Sequence, residues 1–407
     1  MESTVANFPV GTLPSPGVLP ERMHAQVIRA ERFGEPELAF REELVALPNL
    51  GPDDVLVGVM VAGLNYNNVW AALGHPVNVI QWRNSRGEVE DFHIGGSDAA
   101  GIVCAIGDNV SEFAVGDEVV VSPGQYERSD PFVCSGGDPA LAPSLKAWGY
   151  ETNWGSFAQF CLARSWQCYP RPKHLTWEES ASYLLCGATA MRMLCGWPPN
   201  VLKKGATVLV WGGSGGLGSL GIQIVAALGG QAIAVVNSNE KADYCRRLGA
   251  AGVVNRSSLG LSEPETPGDI PGAWQGLPSR LLDPTGAKLP HSVFEHPGQN
   301  TVGISQFVCG TGGMIVICAG TTGYCAALDG RDLVKRSIRF QGSHFAGPSD
   351  IAMLHRLIEE GKLRPSVGHI YEFGEIGAAH GAMRRNEQPF GNNVVRIGLS
   401  GTGFTNS

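Results

Sequence analysis

The chain lacks any apolar run near the ~18 residues that a membrane-spanning helix requires, which excludes a helical membrane protein. It also lacks an excess of positive charge. Thirty Lys and Arg stand against 38 Asp and Glu, a net charge of −8, and this argues against nucleic acid or an anionic membrane as partner. The first 20 residues carry Pro9, Pro14, Pro16 and Pro20 with neither a basic start nor an apolar core. They read as a surface arm over residues 1–22, not as a signal peptide. Ten cysteines are scattered and none forms C-x-x-C, a pattern that suits buried thiols in a reducing cytoplasm better than disulfides or a zinc site. With 407 residues, 43% of them hydrophobic, the chain is globular and too long for one core, so two domains are expected.

Glycine is what the chain has in abundance, 55 residues in all. Its placement matters most in Ala206–Glu240, ATVLVWGGSGGLGSLGIQIVAALGGQAIAVVNSNE. Val208–Trp211 is a short β-branched apolar run, as a parallel strand buried on both faces requires. Gly213, Gly215 and Gly218 then form G-x-G-x-x-G, with Ser214, Gly216 and Leu217 completing the turn. The first glycine would make the tight turn, the second admit a pyrophosphate, and the third let helix and strand pack closely. Leu217–Leu228 reads as an apolar helix, Gly229 and Gly230 end it, and Ala232–Val236 is the second strand. A dinucleotide site of Rossmann type follows from this order and spacing.

An NAD site usually ends its second strand in Asp or Glu. This chain offers Asn237, Ser238 and Asn239, then Lys241, Arg246 and Arg247, with Arg256 beyond. Small neutral groups and cations suit a 2′-phosphate, which favours NADPH, although at least one of these cations belongs to the solvated face of the next helix.

In chain order, Met23–Leu64 reads as β structure, ending in a long half-buried strand, and short strands near Gly95–Val103 and Val115–Val121 suggest a small barrel. Residues 122–144 are polar and rich in Gly and Pro, as in a long loop. Thr176 with Glu179 forms a capping box opening a helical run through Leu194. Residues 256–290, rich in Pro and Gly, read as an insertion on the nucleotide domain. Strands resume at Ser292–Glu295, Gly313–Cys318 and Ser337–Gly342, followed by a helix at Asp350–Gly361. The fold class is therefore α/β: a Rossmann domain over 194–344 inserted in a split catalytic domain, 23–193 and 345–407, that contains the barrel.

Gly-Ser-Asp98-Ala-Ala-Gly101, Val-Gly-Asp117-Glu-Val and the glycine turn resemble the zinc-independent medium-chain dehydrogenase/reductase superfamily, whose barrel is GroES-like. Zinc-dependent members take ligands from Cys, Gly-His-Glu and Cys. Asn65 and Gly-Ser-Asp stand at the first two positions here, so Cys186 near the third completes no ligand set and no catalytic metal is expected. Leu64-Asn-Tyr-Asn-Asn-Val-Trp70, Trp148-Gly-Tyr-Glu-Thr-Asn153, Lys173-His-Leu-Thr-Trp-Glu-Glu179, Val293-Phe-Glu-His-Pro-Gly298 and Gln341-Gly-Ser-His-Phe-Ala346 narrow this further. They resemble the crotonyl-CoA carboxylase/reductase family over residues 22–397.

That resemblance implies NADPH-dependent reduction of an α,β-unsaturated acyl-CoA and capture of the enolate by CO2, giving an alkylmalonyl-CoA. It implies that Asn67 and His344 donate hydrogen bonds to CO2 oxygens, that Glu151 orients His344 through a water, and that Tyr150 closes the pocket against solvent. Asn65 and His296 are assigned to the cofactor. Isolated Asn and His residues commonly serve turns and cores, a role open to Asn65 and His296 in particular, while Asp98 is expected to lie in a buried turn network. Gly347 and Ala352 stand where the family has bulkier groups, which would leave room for a longer or branched acyl chain than crotonyl; the pathway served could be primary metabolism or supply of a polyketide extender unit. Two other readings stay open: a plain NADPH-dependent enoyl-CoA or quinone reductase, and a nucleotide-binding protein without activity. Relatives are homo-oligomers, tetramers or dimers, and the same is expected here.

Overall fold

A computed structural model describes residues 7–12, 15, 18–258, 278–279 and 289–398. The chain divides into two compact units, Met1–Leu185 with Val367–Ser407, and Cys186–Ser366. Most of the expected insertion at 256–290 lies outside the described residues. No described helix is long and apolar enough to cross a membrane.

The first unit is built around the strand Asp54–Gly63, which pairs antiparallel with Ala99–Ile106, Phe160–Arg164 and Asn392–Arg396. All ten of its residues are buried, not alternate ones as its sequence suggests, because partners and core surround it on every side. Arg22–Arg29, Arg41–Ala46 and Phe92–Ile94 form a second, three-stranded sheet. The arm is tied down where it is described: Gln159 Nε2 donates to the carbonyls of Phe8 and Pro9, each at 3.0 Å. The presumed loop 122–144 carries short helices at Pro131–Cys134 and Pro139–Leu141, each capped by an aspartate, Asp130 and Asp138.

The capping box forms, with Thr176 Oγ1 accepting from Glu179 N at 3.2 Å and Glu179 Oε2 accepting from Thr176 N at 2.9 Å. The helix it opens is only Trp177–Ser180, and a second begins at Leu184. The Asn392 amide takes the Ser182 carbonyl at 2.7 Å, which removes an acceptor that a continuous helix would need.

The second unit holds a six-stranded, all-parallel sheet in the order Gly252–Asn255, Gln231–Val236, Thr207–Trp211, Ser292–Glu295, Met314–Ile317, Arg339–Gly342. Its boundaries differ from those expected at 193/194 and 344/345. Most of the helix Leu184–Cys195 and all of Pro348–Glu359 belong to this unit. Arg192 and Asp350 form an almost fully buried ion pair between them at 3.0 Å, and a Cβ on Gly187 would come within 2.9 Å of Leu354. Two helices so joined cannot be divided between units.

Candidate active site

In the parallel sheet the strand order reverses between Thr207–Trp211 and Ser292–Glu295, and sheets of this kind bind ligands above the carboxyl ends at such a reversal. Gly212 leaves the first strand with φ +57°, and a Cβ there would lie 2.7 Å from His296 Nε2. The left-handed turn is thus made by Gly212, one residue before the expected Gly213. Gly213 is a packing position, where a Cβ would lie 2.8 Å from Ala234 Cβ. Gly218 does what its place in the motif requires, since a Cβ would collide with the Gly212 carbonyl. At Gly215 a Cβ would meet only that carbonyl oxygen, at 3.6 Å. No protein group demands glycine there, and open space before the helix Gly216–Ala227 fits close approach by a pyrophosphate. Ser214 is buried in the turn, and Gly216 and Leu217 form the first helical residues.

At the end of the second strand Ser238 caps the helix Asn239–Arg247, its Oγ accepting from Lys241 N at 3.2 Å. Ser257 Oγ donates to the Asn237 carbonyl at 2.8 Å, and Arg246 is engaged with Asp243 at 2.6 Å. Burial, then the charge of Arg256, holds the Lys241 ammonium below its usual pKa. Two cations that disfavour each other's charge fit a dianion between them.

His296 leaves the fourth strand, with Nε2 2.9 Å from the Trp211 carbonyl. A carbonyl only accepts, so Nε2 carries the proton and Nδ1 is left as an acceptor. Burial lowers the imidazole pKa to about 4, so the ring is neutral. Beneath it Glu295, fully buried, accepts from Thr301 Oγ1 at 2.6 Å, from Gly298 N at 3.1 Å and from Ser305 Oγ at 2.5 Å. Burial raises its pKa to about 7 against these donors.

In the first unit, Asn67 opens the helix Asn67–Leu73. Its Nδ2 donates to Ser97 Oγ at 2.8 Å and its Oδ1 accepts from Asn68 Nδ2 at 2.9 Å. The direction of this pair is fixed from outside: Asn68 Oδ1 accepts from Gly96 N at 3.0 Å, so Asn68 must present its amino group to Asn67. The Asn67 amino group is thereby aimed at Ser97. Gly96 also meets the Tyr150–Glu151 turn, because a Cβ on Gly149 would collide with the Gly96 carbonyl. The turn that carries Tyr150 and Glu151 therefore packs beside the Gly96–Ser97 backbone to which the Asn67–Asn68 pair is bonded. Tyr150 is half-buried against the barrel core. Glu151 Oε2 accepts from Ala147 N at 2.7 Å, so one carboxylate oxygen closes its own turn.

Asn65 is turned inward, 5% exposed, and its side chain hydrogen-bonds Asp98. That arrangement serves the barrel, the structural role left open for Asn65 by its sequence. Asp98 lies in the expected buried network, receiving Leu185 N at 3.2 Å, and burial pushes its pKa well up.

His344 belongs to the second unit. It is exposed, beyond the strand Arg339–Gly342, with its ring 4.2 Å from that of Phe345.

Residues 51–173 match the Alcohol dehydrogenase GroES-like domain family, and residues 216–360 match the family described as Zinc-binding dehydrogenase. Along 98% of its length the chain is 43% identical to a crotonyl-CoA carboxylase/reductase of Cereibacter sphaeroides, covering 93% of that protein. The chain belongs to the crotonyl-CoA carboxylase/reductase family. A solved crotonyl-CoA carboxylase/reductase in complex with NADP superposes with TM-score 0.91 at 42% identity, covering 98% of this chain and all of that one. A 2-octenoyl-CoA carboxylase reductase in complex with NADP and 2-octenoyl-CoA superposes with TM-score 0.88 at 33% identity, over 95% and 90% of the two chains.

The family's sequence motifs led to Asn67 but not to Asn68, Ser97 or Gly212. Three asparagines within four residues were a usable signal, since a buried amide must find partners. Although one matching family is described as zinc-binding, no group of three or more His, Cys, Asp or Glu that could hold a metal occurs among the described residues.

Proposed function

We propose that this protein reduces a 2-enoyl-CoA ester with NADPH and carboxylates the resulting enolate with CO2, giving an alkylmalonyl-CoA. The relation to a crotonyl-CoA carboxylase/reductase along 98% of the chain carries this reading. When bound, NADPH supplies a hydride for the β-carbon. The open face of Gly215 and the N-terminus of Gly216–Ala227 receive its pyrophosphate, and Lys241 with Arg256 receives its 2′-phosphate. His296, neutral and with Nδ1 free to accept, fits a donor on the cofactor's nicotinamide half.

The α-carbon enolate is protonated by water unless CO2 is held beside it. CO2 carries no charge, so its site needs donors aimed at oxygens that become a carboxylate as the bond forms. One Asn67 N–H is spent on Ser97 and the second is available for such an oxygen. The His344 imidazole supplies another donor, oriented by Glu151 through a water. Tyr150 shields the pocket from water. The acyl group is crotonyl or a longer or branched 2-enoyl chain, and the assembly a homo-oligomer in the cytoplasm.

The decisive measurement is product mass. The protein is mixed with NADPH and enoyl-CoA esters from four to eight carbons, with and without bicarbonate and carbonic anhydrase. A product heavier than the saturated ester by one CO2, formed only with bicarbonate, is expected. Saturated ester alone, at an unchanged rate, makes the protein a simple enoyl reductase.

A further inference from the structure

His344 sits in a short turn, and the second unit fastens that turn at both ends. At its start, Ser343 is 7% exposed; its N–H donates to the Ile317 carbonyl at 2.8 Å and its Oγ accepts from the Trp197 indole Nε1 at 3.1 Å. At its end, the Gly347 N–H donates to Asp350 Oδ2 at 2.9 Å. The same carboxylate oxygen receives Arg192 Nη1 at 3.0 Å. The Arg192 guanidinium lies over the Trp197 ring, 4.8 Å from its centroid, which joins the two fastenings into one loop of contacts. Trp197 is anchored in turn by Asn200, 7% exposed, whose Nδ2 donates to the Gly312 carbonyl at 3.1 Å and whose Oδ1 accepts from Arg339 at 3.0 Å.

Between the fastenings Phe345 has φ +47°. A bulky residue in the left-handed region is strained, so the turn holds this shape only if its ends are fixed. The left-handed residue directly follows His344 and sets where the imidazole emerges. Burying a charged pair such as Arg192 and Asp350 gains little stability by itself, which leaves its geometry as the reason to ask what it fixes.

We infer that Trp197, Arg192 and Asp350 are positioning residues for His344, holding its imidazole donor where it can meet CO2. The inference rests on the proposed role of His344. None of the three needs to touch substrate; they act through the turn.

The test uses Trp197→Phe, which keeps an aromatic face for Arg192 but removes the indole N–H together with the five-membered ring, with Asp350→Asn as a second variant. The readout is the ratio of saturated to carboxylated product and the KM for CO2, with the KM for NADPH and the melting temperature measured alongside. Trp197→Phe should raise the ratio roughly fivefold, the effect of losing one net hydrogen bond, and raise the KM for CO2 while leaving the KM for NADPH unchanged. In a His344→Asn background, which itself raises the ratio, Trp197→Phe should add nothing. If His344→Asn raises the ratio and neither Trp197→Phe nor Asp350→Asn does, the inference is overturned while the reading of His344 stands. If both products fall together at a constant ratio, the network serves only the fold, and the inference is again overturned. If His344→Asn leaves the ratio unchanged, both fail.

Discussion

At the scale of single residues, two glycines of one motif answer to different constraints. Gly218 is needed by the protein, because a side chain would run into Gly212 backbone. Gly215 meets nothing but one carbonyl at 3.6 Å, and its φ of −82° suits any residue. Gly215→Val should therefore leave the melting temperature nearly unchanged and weaken NADPH binding by about tenfold or more, ~1.4 kcal/mol, in a fluorescence titration. Gly218→Val should unfold or strongly destabilise the protein before affinity can be asked. Equal effects on stability would mean that the open face of Gly215 is not a ligand face. Asn68 offers a similar separation. Asn68→Ala removes the acceptor of the buried Gly96 N–H, at a cost of ~1–3 kcal/mol, and frees the Asn67 amide to turn. Thermal unfolding should show that loss, and the product should shift toward saturated ester. A variant that kept the carboxylated product would show that Asn67 needs no fixed orientation.

At the scale of elements, the end of the second strand decides between cofactors. Arg246 is engaged by Asp243, while Lys241 and Arg256 form the pair whose charges work against each other. Lys241→Ala should raise the KM for NADPH several-fold and leave that for NADH unchanged. A uniform rise for both would place the 2′-phosphate elsewhere. The sequence showed most of this unit because parallel strands buried on both faces are continuous apolar runs, and Val208–Trp211 can be read as such directly. It misled where burial depends on partners distant in the chain. Asp54–Gly63 reads as half-buried, yet strands from residues 99–106, 160–164 and 392–396 cover it. The helix after Thr176 reads as continuous, yet Asn392 draws off a carbonyl. The Asn67 motif can be read along the chain, whereas its tie to Ser97 cannot, because the bond between them spans 30 positions that no local pattern connects.

At the scale of the whole molecule, each unit carries buried histidines and a buried carboxyl that respond to acid in opposite senses. In the first unit His380, fully buried, is held at about 4 against an ordinary 6.5. Its folded pKa is depressed, so the unfolded chain takes up the proton first. Stability is complete above pH 6.5 and is lost as pH falls toward 4, by up to about 3 kcal/mol. His93 in the same unit is shifted the same way by burial. In the second unit His296 and His355, both lowered to about 4, pull in that direction too, but Glu295 opposes them. Burial raises Glu295 from 4.5 to about 7. The folded state holds that proton more tightly, so its contribution is complete below pH 4.5 and is lost as pH rises through 7. In the first unit the buried Asp98 carboxyl, also raised, opposes the histidines there in the same way, so calorimetry from pH 7 to pH 5 reads each carboxyl through its own substitution, one transition at a time. The second is recognised as the transition that added NADPH moves. Glu295→Gln removes the opposing group and should steepen the acid sensitivity of the second transition relative to the unmodified protein. A second transition whose pH slope is the same with Glu or Gln at position 295 would show that the buried carboxyl does not titrate between the folded and unfolded states in this range, and that its hydroxyl and backbone donors hold it ionised.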